Sequence, residues 1–294
     1  MENSRKYFYP GTYITIDERM ISYRGRAENI VYEISKPTKW GFRPYILADL
    51  NTGFTYCFKL LNDNKIDENY KDDKNGKMFN LVIEFLKCLS NYNNSKIKHI
   101  LATDGLYTNE KLLELDDIYF VGAIRKNKLK KYENLLEEIP KKTFQYYYKK
   151  TKDKISILTK FNDSKLMFII SNFIDSPKNI KKRKWNKKRK EFFEEEIPNT
   201  VNIYSRLMKG VDLSNQLISY YELNRKTIKW WKRIFFHLLD IAIVNSFIIY
   251  KKYLNANITQ KQYRIEIIKT IIKKYNMKIG RIDNKFNTSH YPFK

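Results

Sequence analysis

The sequence predicts an α/β protein: a core built on a mixed β-sheet, a small β insertion and a helical C-terminal region. Three observations predict it. Between about residues 45 and 125, short apolar runs rich in β-branched and aromatic residues alternate with amphipathic helical spacing. A second group of strand-like runs follows and contains a dense block of lysine and arginine. The last third repeats its apolar residues at 3.6-residue spacing.

Taken in order, residues 13–32 read as short alternating strands, with Gly25 as a break. PTKWGFRPY is turn-rich and leads into YILADL (45–50), an apolar run closing on Asp49. NTG makes a tight turn, and FTYCFKLL (54–61) returns as the second strand of a hairpin. KIDENYKDDKNGK is a polar loop. MFNLVIEFLKCLSNY (78–92) places Leu81, Val82, Phe85, Leu86 and Leu89 on one helical face. IKHILATD is a strand closing on Asp104, NEKLLEL a short helix, and IYFVGAIR (118–125) another strand. FQYYYKK, KISILTKF and KLMFIIS read as three strands of a small extra β unit. Then KGVDLSNQLISYYEL begins a helix near Asp212, residues 224–254 form a long apolar helix with a basic start, and residues 259–277 form a last helix with Ile265, Ile268, Ile271 and Ile272 on one face.

Composition narrows the function. The 294 residues carry 57 Lys and Arg against 32 Asp and Glu, a formal net charge of +25, which favours polyanionic partners, nucleic acid before an anionic membrane. The chain is also rich in Lys, Asn, Ile, Tyr and Phe, the residues an AT-rich genome over-supplies, so charge alone does not assign DNA binding. Cys57 and Cys88 form no C-x-x-C pair, and with His99, His237 and His290 they assemble no usual zinc spacing; the reading is a reduced, intracellular chain without zinc. MENSRKYFYPG has no apolar core for a signal peptide. The most apolar run (234–250) carries His237, Asp240 and Asn245, which favours a buried helix over a membrane span.

Three acids then stand out: Asp49 and Asp104 at strand ends and Asp212 at a helix start. Residues alone leave Asp104 with two readings, because Asp-Gly is both a common turn dipeptide and a way to present a carboxylate at a sheet edge. Three converging carboxylates suit two divalent cations, one activating the attacking oxygen and the other stabilising the leaving oxygen, since hard cations require hard anionic ligands.

The strings PGTYITIDERMISYRGR, KPTKWGFRPYILADLNTGF, ATDGLYTNEKLLE, GAIRKN, KGVDLSNQLISYY and the block from NRKTIKWW to SFIIY resemble, in order, the blocks of the piggyBac transposase family. The resemblance runs from about residue 9 to 250. It implies an RNase H-like catalytic core whose DDD triad falls on Asp49, Asp104 and Asp212, holding two Mg2+ (or Mn2+) ions, and a cut-and-paste reaction on double-stranded DNA at transposon ends and a TTAA-type target. The implied organisation is residues 1–44 as a dimerisation and DNA-binding remnant, 45–125 as the first part of the core, 126–200 as an insertion with the basic run, 201–222 as the helix of the third acid, and 223–294 as a helical dimerisation and DNA-binding region. The resemblance also implies a homodimer, and a nuclear location follows from the basic run and the DNA substrate. Three departures stand beside it. Asn215 replaces the second acid of the family's GVDxxDQ; much of the family's N-terminal region is missing; and its C-terminal cysteine-rich zinc module has no counterpart, so end recognition falls to charge and shape or to a partner protein. The alternative to an active transposase is a truncated or domesticated remnant that binds DNA and cuts nothing.

Other residues divide between readings. Asp17 and Glu18 read as structural, paired with Arg24 or Arg26, ahead of a catalytic role. Arg125 and Lys126 are either a phosphate clamp or a solvated strand end. KNIKKRKWNKKRK (178–190), with Lys182, Arg183, Lys184, Lys187, Lys188 and Arg189, is a solvated loop, a nuclear-import signal or a phosphate-binding arm. Arg225, Lys226, Lys229, Lys232 and Arg233 flank Trp230 and Trp231 and form a second phosphate-contact cluster; the tryptophans read as core, or as platforms for a base. His237 reads as a satisfied core histidine.

Overall fold

Eight strands pair into one mixed sheet, and the apolar runs that build it are the ones the sequence marks. The computed structural model describes residues 7–61, 76–90, 98–151, 154–173, 178–186, 189–254 and 257–275. Chain order gives β1 Tyr13–Glu18, β2 Ile21–Ser22, β3 Val31–Tyr32, β4 Trp40–Phe42, β5 Pro44–Asp49, β6 Thr55–Leu60, α1 Lys77–Ser90, β7 His99–Thr103, β8 Ile118–Ala123, β9 Phe144–Thr151, β10 Lys154–Asn162, β11 Leu166–Ser171, β12 Asn179–Asn186, β13 Glu191–Pro198, α2 Asn199–Leu207, α3 Gly210–Ser219, α4 Trp230–Tyr253 and α5 Gln260–Lys274. Short 3-10 turns at Glu110–Glu114 and Lys126–Leu129 flank β8. The expected loop at 65–77 lies mostly outside the described residues, as do Lys187, Lys188 and residues 276–277.

The sheet order is β6-β5-β1-β7-β8-β11-β10-β9. Its centre is parallel: β1 runs with β7 and β7 with β8. All other neighbours are antiparallel. Two expectations change here. β1, assigned by sequence to a flanking region ending at residue 44, is a central strand of the core. And β9, β10 and β11 extend the main sheet through β8 rather than forming a unit of their own, because the apolar edge of β8 pairs Ala123 to Val121 with Ile169 to Ser171. The separate insertion is the ribbon β12–β13.

Burial follows the pattern. β5 and β7 are buried along their whole length, as the continuous apolar runs require of strands covered on both faces. α2 packs its Val201 and Leu207 against Ile100, Ala102, Val121 and Ile169, and α3 packs Val211 against Ile46 and Ala48. A Cβ at Gly210 would meet Thr15 at 2.5 Å, and one at Gly53, at φ 71°, would meet the Ser214 amide at 2.9 Å. Those two glycines let α3 sit directly on the strands. α1 lies along β6, where Cys57 and Cys88 are joined in a disulfide; the sequence had been read as a reduced chain.

The chain divides into two units, residues 1–245 and 246–294. In the second, Tyr263 of α5 packs on Phe247 and Tyr250, and Thr259 and Gln262 close a capping box at the start of α5. Ile265, Ile268 and Ile271 are exposed.

The part of α4 in the first unit, residues 230–245, inverts the usual arrangement. By length and a mean hydropathy of 1.6 the helix is apolar enough to cross a membrane. Its buried positions nevertheless include Arg233, His237, Asp240 and Asn245, while Trp231, Phe235, Leu238 and Leu239 are exposed. The polar groups serve backbone that the sheet leaves unpaired. Arg233 donates to the carbonyls of Ser22 and Leu223 and to Glu222, Asp240 accepts from the Leu223 amide, and Asn245 exchanges two hydrogen bonds with the backbone of Thr55 on edge strand β6 (3.0 and 2.8 Å). The opposite edge is β9, which carries exposed Lys149 and Lys150.

His237 is buried as expected but not satisfied: neither ring nitrogen has a hydrogen-bond partner, and the ring lies against Phe58. Burial first, then the charges of Arg19 and Arg233, push its pKa well below the usual 6.5.

Two predictions follow from this packing. Asn245→Ala strands the amide and carbonyl of Thr55 and should lower unfolding free energy by about 1–3 kcal/mol in urea titrations. His237 is neutral in the fold and takes up a proton on unfolding, so its contribution is present above its unfolded pKa and is lost as pH falls below it. His237→Leu should therefore flatten the decline in thermal midpoint between about pH 7 and pH 5.

Candidate active site at the ends of β1 and β7

The parallel pairing of β1 with β7 sets Ile16 opposite Thr103, so the next residues, Asp17 and Asp104, leave adjacent strands side by side at one edge of the sheet. Glu18 follows Asp17. It accepts a hydrogen bond from the Tyr107 hydroxyl (2.9 Å) and pairs with Lys36 (3.0 Å), which reaches in from the turn between β3 and β4. Neither acid pairs with Arg24 or Arg26 as the sequence suggested; the partners come from distant turns.

Charge is concentrated here. Burial, then the neighbouring Glu18, raises the Asp17 carboxyl to about 7. Burial also works on Glu18, but hydrogen bonds from Asp17, Lys36 and Tyr107 overcome it and hold Glu18 below the usual range. Burial raises the Asp104 carboxyl, with Glu18 adding to it and the Leu106 amide and Arg125 opposing. The hydroxyls of Tyr107 and, from α2, Tyr204 are pushed up by burial and by these same acids.

Asp104 fulfils its turn reading as well. Its carboxylate accepts the Leu106 amide (2.8 Å) and its carbonyl accepts the amide and hydroxyl of Thr108 (3.1 and 2.8 Å). Lys128 closes the turn by donating to the carbonyls of Gly105, Leu106 and Thr108. A Cβ on Gly105 would come within 2.9 Å of the Arg125 side chain, so the glycine lets that stem lie over the turn. Arg125 and Lys126 are both exposed beside it.

Asp49 does not join this cluster. β5 is antiparallel to β1 and pairs Asp49 with Ile14, level with Leu101 of β7. That places it on the order of 10 Å along the strands from the level of Asp17. Its carboxylate is buried and filled by the amides of Gly11, Asn51 and Thr52 and the hydroxyls of Thr52 and Tyr56. It holds the β5–β6 turn together. Asp212 is exposed on the first turn of α3 and lines a groove with Tyr13, Leu50, Asn51, Arg206 and Lys209. Asn215 accepts a hydrogen bond from Arg19 (3.3 Å). Among the described residues no group of three or more His, Cys, Asp or Glu is placed to hold a metal.

Residues 179–186 of the basic run form strand β12 rather than a loop. It faces the acids of β13, with Lys182 opposite Glu195 and Arg183 opposite Glu194. Arg183 stacks on Phe192, Lys184 pairs with Glu195 and Asp163, and Arg189 lies 3.7 Å from Glu191. Much of its charge is thus answered within the ribbon. Arg225, Lys226, Lys229 and Lys232 are exposed, but Arg233 is buried and spent on backbone carbonyls and Glu222, so it leaves the phosphate-contact cluster. Trp230 and Trp231 are about half exposed rather than core.

A mixed sheet with two carboxylates abreast on its central parallel strands and helices packed across it is a core of the RNase H-like class. Residues 1–247 match the family model described as Transposase IS4, and the chain belongs to that transposase family, on its piggyBac branch. Human PiggyBac transposable element-derived protein 3 is 20% identical over 274 residues, 91% of this chain and 45% of that protein. The human chimeric ERCC6-PGBD3 protein shares the same 20% over 274 residues, 25% of its own length. A piggyBac transposase solved by cryo-EM as a synaptic complex with hairpin DNA matches with a TM-score of 0.68 at 22% identity, covering 92% of this chain and 55% of that one. The chain spans about half or less of each of these relatives.

The two acids should separate in stability measurements. Asp49→Ala should cost about 2–4 kcal/mol, because it strands buried donors. Asp17→Asn should leave the metal-free protein at neutral pH as stable as the wild type or more so, since it removes one of several crowded carboxylates.

Proposed function

We propose that this chain is the catalytic core of a DNA transposase whose metal-binding carboxylates are Asp17 and Asp104. The observation that carries the reading is their placement abreast at the ends of β1 and β7. Both carboxyls are largely buried with Glu18 beside them, a crowded and poorly solvated set of oxygen ligands of the hard type a divalent cation takes. Asp212 is proposed as the third ligand by family resemblance, and Asp49 as a structural residue. A bound Mg2+ or Mn2+ would supply Lewis-acid stabilisation of the attacking and leaving oxygens. The protein's own part is positional. The Asp104 turn is fixed by Thr108 and Lys128, Tyr107 holds Glu18, and exposed Arg125 and Lys126 stand where a phosphate flanking the cleaved bond would pass.

The partner proposed is double-stranded DNA. Arg225, Lys226, Lys229 and Lys232 provide exposed cations for its backbone. A TTAA-type target, a homodimer and a nuclear location belong to the same proposal and rest on family resemblance, the last also on the basic run. A second reading, a DNA-binding remnant that does not cut, is favoured by the stand-off of Asp212 and by Asn215, which is engaged by Arg19.

Nicking of supercoiled plasmid in Mg2+ or Mn2+ separates them. Cleavage by the wild type is expected, with loss of about 100-fold or more in Asp17→Asn and Asp104→Asn and retention in the folded fraction of Asp49→Asn. Equal residual cutting by wild type and Asp104→Asn would select the remnant.

A further inference from the structure

The acid cluster already contains a cation. Lys36 enters from the turn joining β3 to β4 and forms an ion pair with Glu18 at 3.0 Å. Its one ion pair is with Glu18, and the charges of Asp17 and Asp104 also act on its ammonium. The other cations near these acids, Arg125 and Lys128, approach from the end of β8, and their charges act on Asp104.

The element that carries Lys36 is lightly tied down. β3 has two residues and β4 has three. Between them the turn is closed by the Glu33 amide on the Lys39 carbonyl (2.8 Å), the Lys36 amide on the Glu33 carbonyl (3.3 Å) and the Ser35 hydroxyl on Glu33. The Lys36 side chain keeps about a third of its surface open to water. Withdrawing it breaks one partly solvated ion pair, which is a small cost. Leaving it in place beside a divalent ion sets a unit charge against a double charge within one poorly solvated site, which is a large one.

We propose that Lys36 is a tethered competitor for the divalent-cation site, occupying the acid cluster in the metal-free chain and withdrawing from it when the ion binds. The inference rests on the assignment of Asp17 and Asp104 as the ion's ligands. Lys36 thereby raises the ion concentration needed for loading: Glu18 stays paired when no ion is present, and the ion has to displace an ammonium to enter. An ordinary stabilising ion pair makes the opposite statement about affinity, because its loss would loosen Glu18 and weaken the ion's seat.

The test is a Mn2+ titration of the full chain, with free ion followed by electron paramagnetic resonance. Lys36→Met and Lys36→Gln should bind Mn2+ several-fold more tightly than the wild type and show a larger Mn2+-induced rise in thermal midpoint. Lys36→Arg should keep the wild-type affinity. So should Lys39→Met, which removes an exposed charge from the same turn. Unchanged or weaker Mn2+ affinity in both neutral Lys36 variants overturns the inference. Asp104→Asn in each background distinguishes the two levels. Loss of Mn2+ binding without any tightening in the Lys36 variants removes the role of Lys36 alone; Mn2+ binding that survives Asp104→Asn, or is absent from every form, removes the ion site and the inference with it. Metal-free unfolding curves verify that each variant is folded, and Lys36→Gln, which keeps a polar contact to Glu18, serves if Lys36→Met is not.

Discussion

Everything at the candidate site depends on one register: β1 runs parallel to β7 with Ile16 opposite Thr103. A strand pair shifted by one residue turns every side chain to the other face of the sheet. Here such a shift would bury Asp17 among the core residues of one face or swing it away from Asp104. The register is held from both sides. Ile14 and Ile16 of β1 and Leu101 of β7 are buried, and β5 locks the other edge of β1 in antiparallel pairing from Ile14 to Glu18. A local contact does not create this geometry; partners 87 residues apart in the chain, such as Ile16 and Thr103, do.

That long-range origin explains what the sequence disclosed. The apolar runs, the β5–β6 hairpin, α1, the strand closing on Asp104 and the last helix were legible because each depends on spacing within a dozen residues. The place of Asp49 was not legible for a specific reason. It does end a strand, but β5 is antiparallel to β1, so its C-terminal end lies at the opposite edge from the ends of β1 and β7. Strand direction is a property of pairing and leaves no mark in YILAD. The TIDE block did signal Asp17, yet its nearest arginines suggested a local ion pair, whereas the actual partners are Lys36 and Tyr107. The basic run likewise gave no sign of its partners: Lys181, Lys182 and Arg183 are exposed, and the acids opposite them come from β13.

The helix α4 carries the same lesson in energetic form. Its composition is that of an apolar core helix, and averaging hides which residues face in. Arg233, Asp240 and Asn245 are buried because unpaired backbone of the 223 turn and of β6 needs donors and acceptors, and a helix side chain is the nearest source. Buried polar groups are tolerated where they answer such needs and costly where they do not. His237, one turn from Arg233 and without a partner, is the position where that compensation is missing.

The clamp of Asn245 on Thr55 also has a topological meaning. A sheet margin with unpaired amides and carbonyls is a template onto which another strand can crystallise, and proteins suppress it by covering the margin or charging it. Here Asn245 imitates a neighbouring strand at Thr55 on the β6 margin, while the β9 margin carries exposed Lys149 and Lys150. The acid pair of β1 and β7 thus lies in the interior of the ladder, with two strands between it and the β6 margin and the remaining strands between it and the β9 margin.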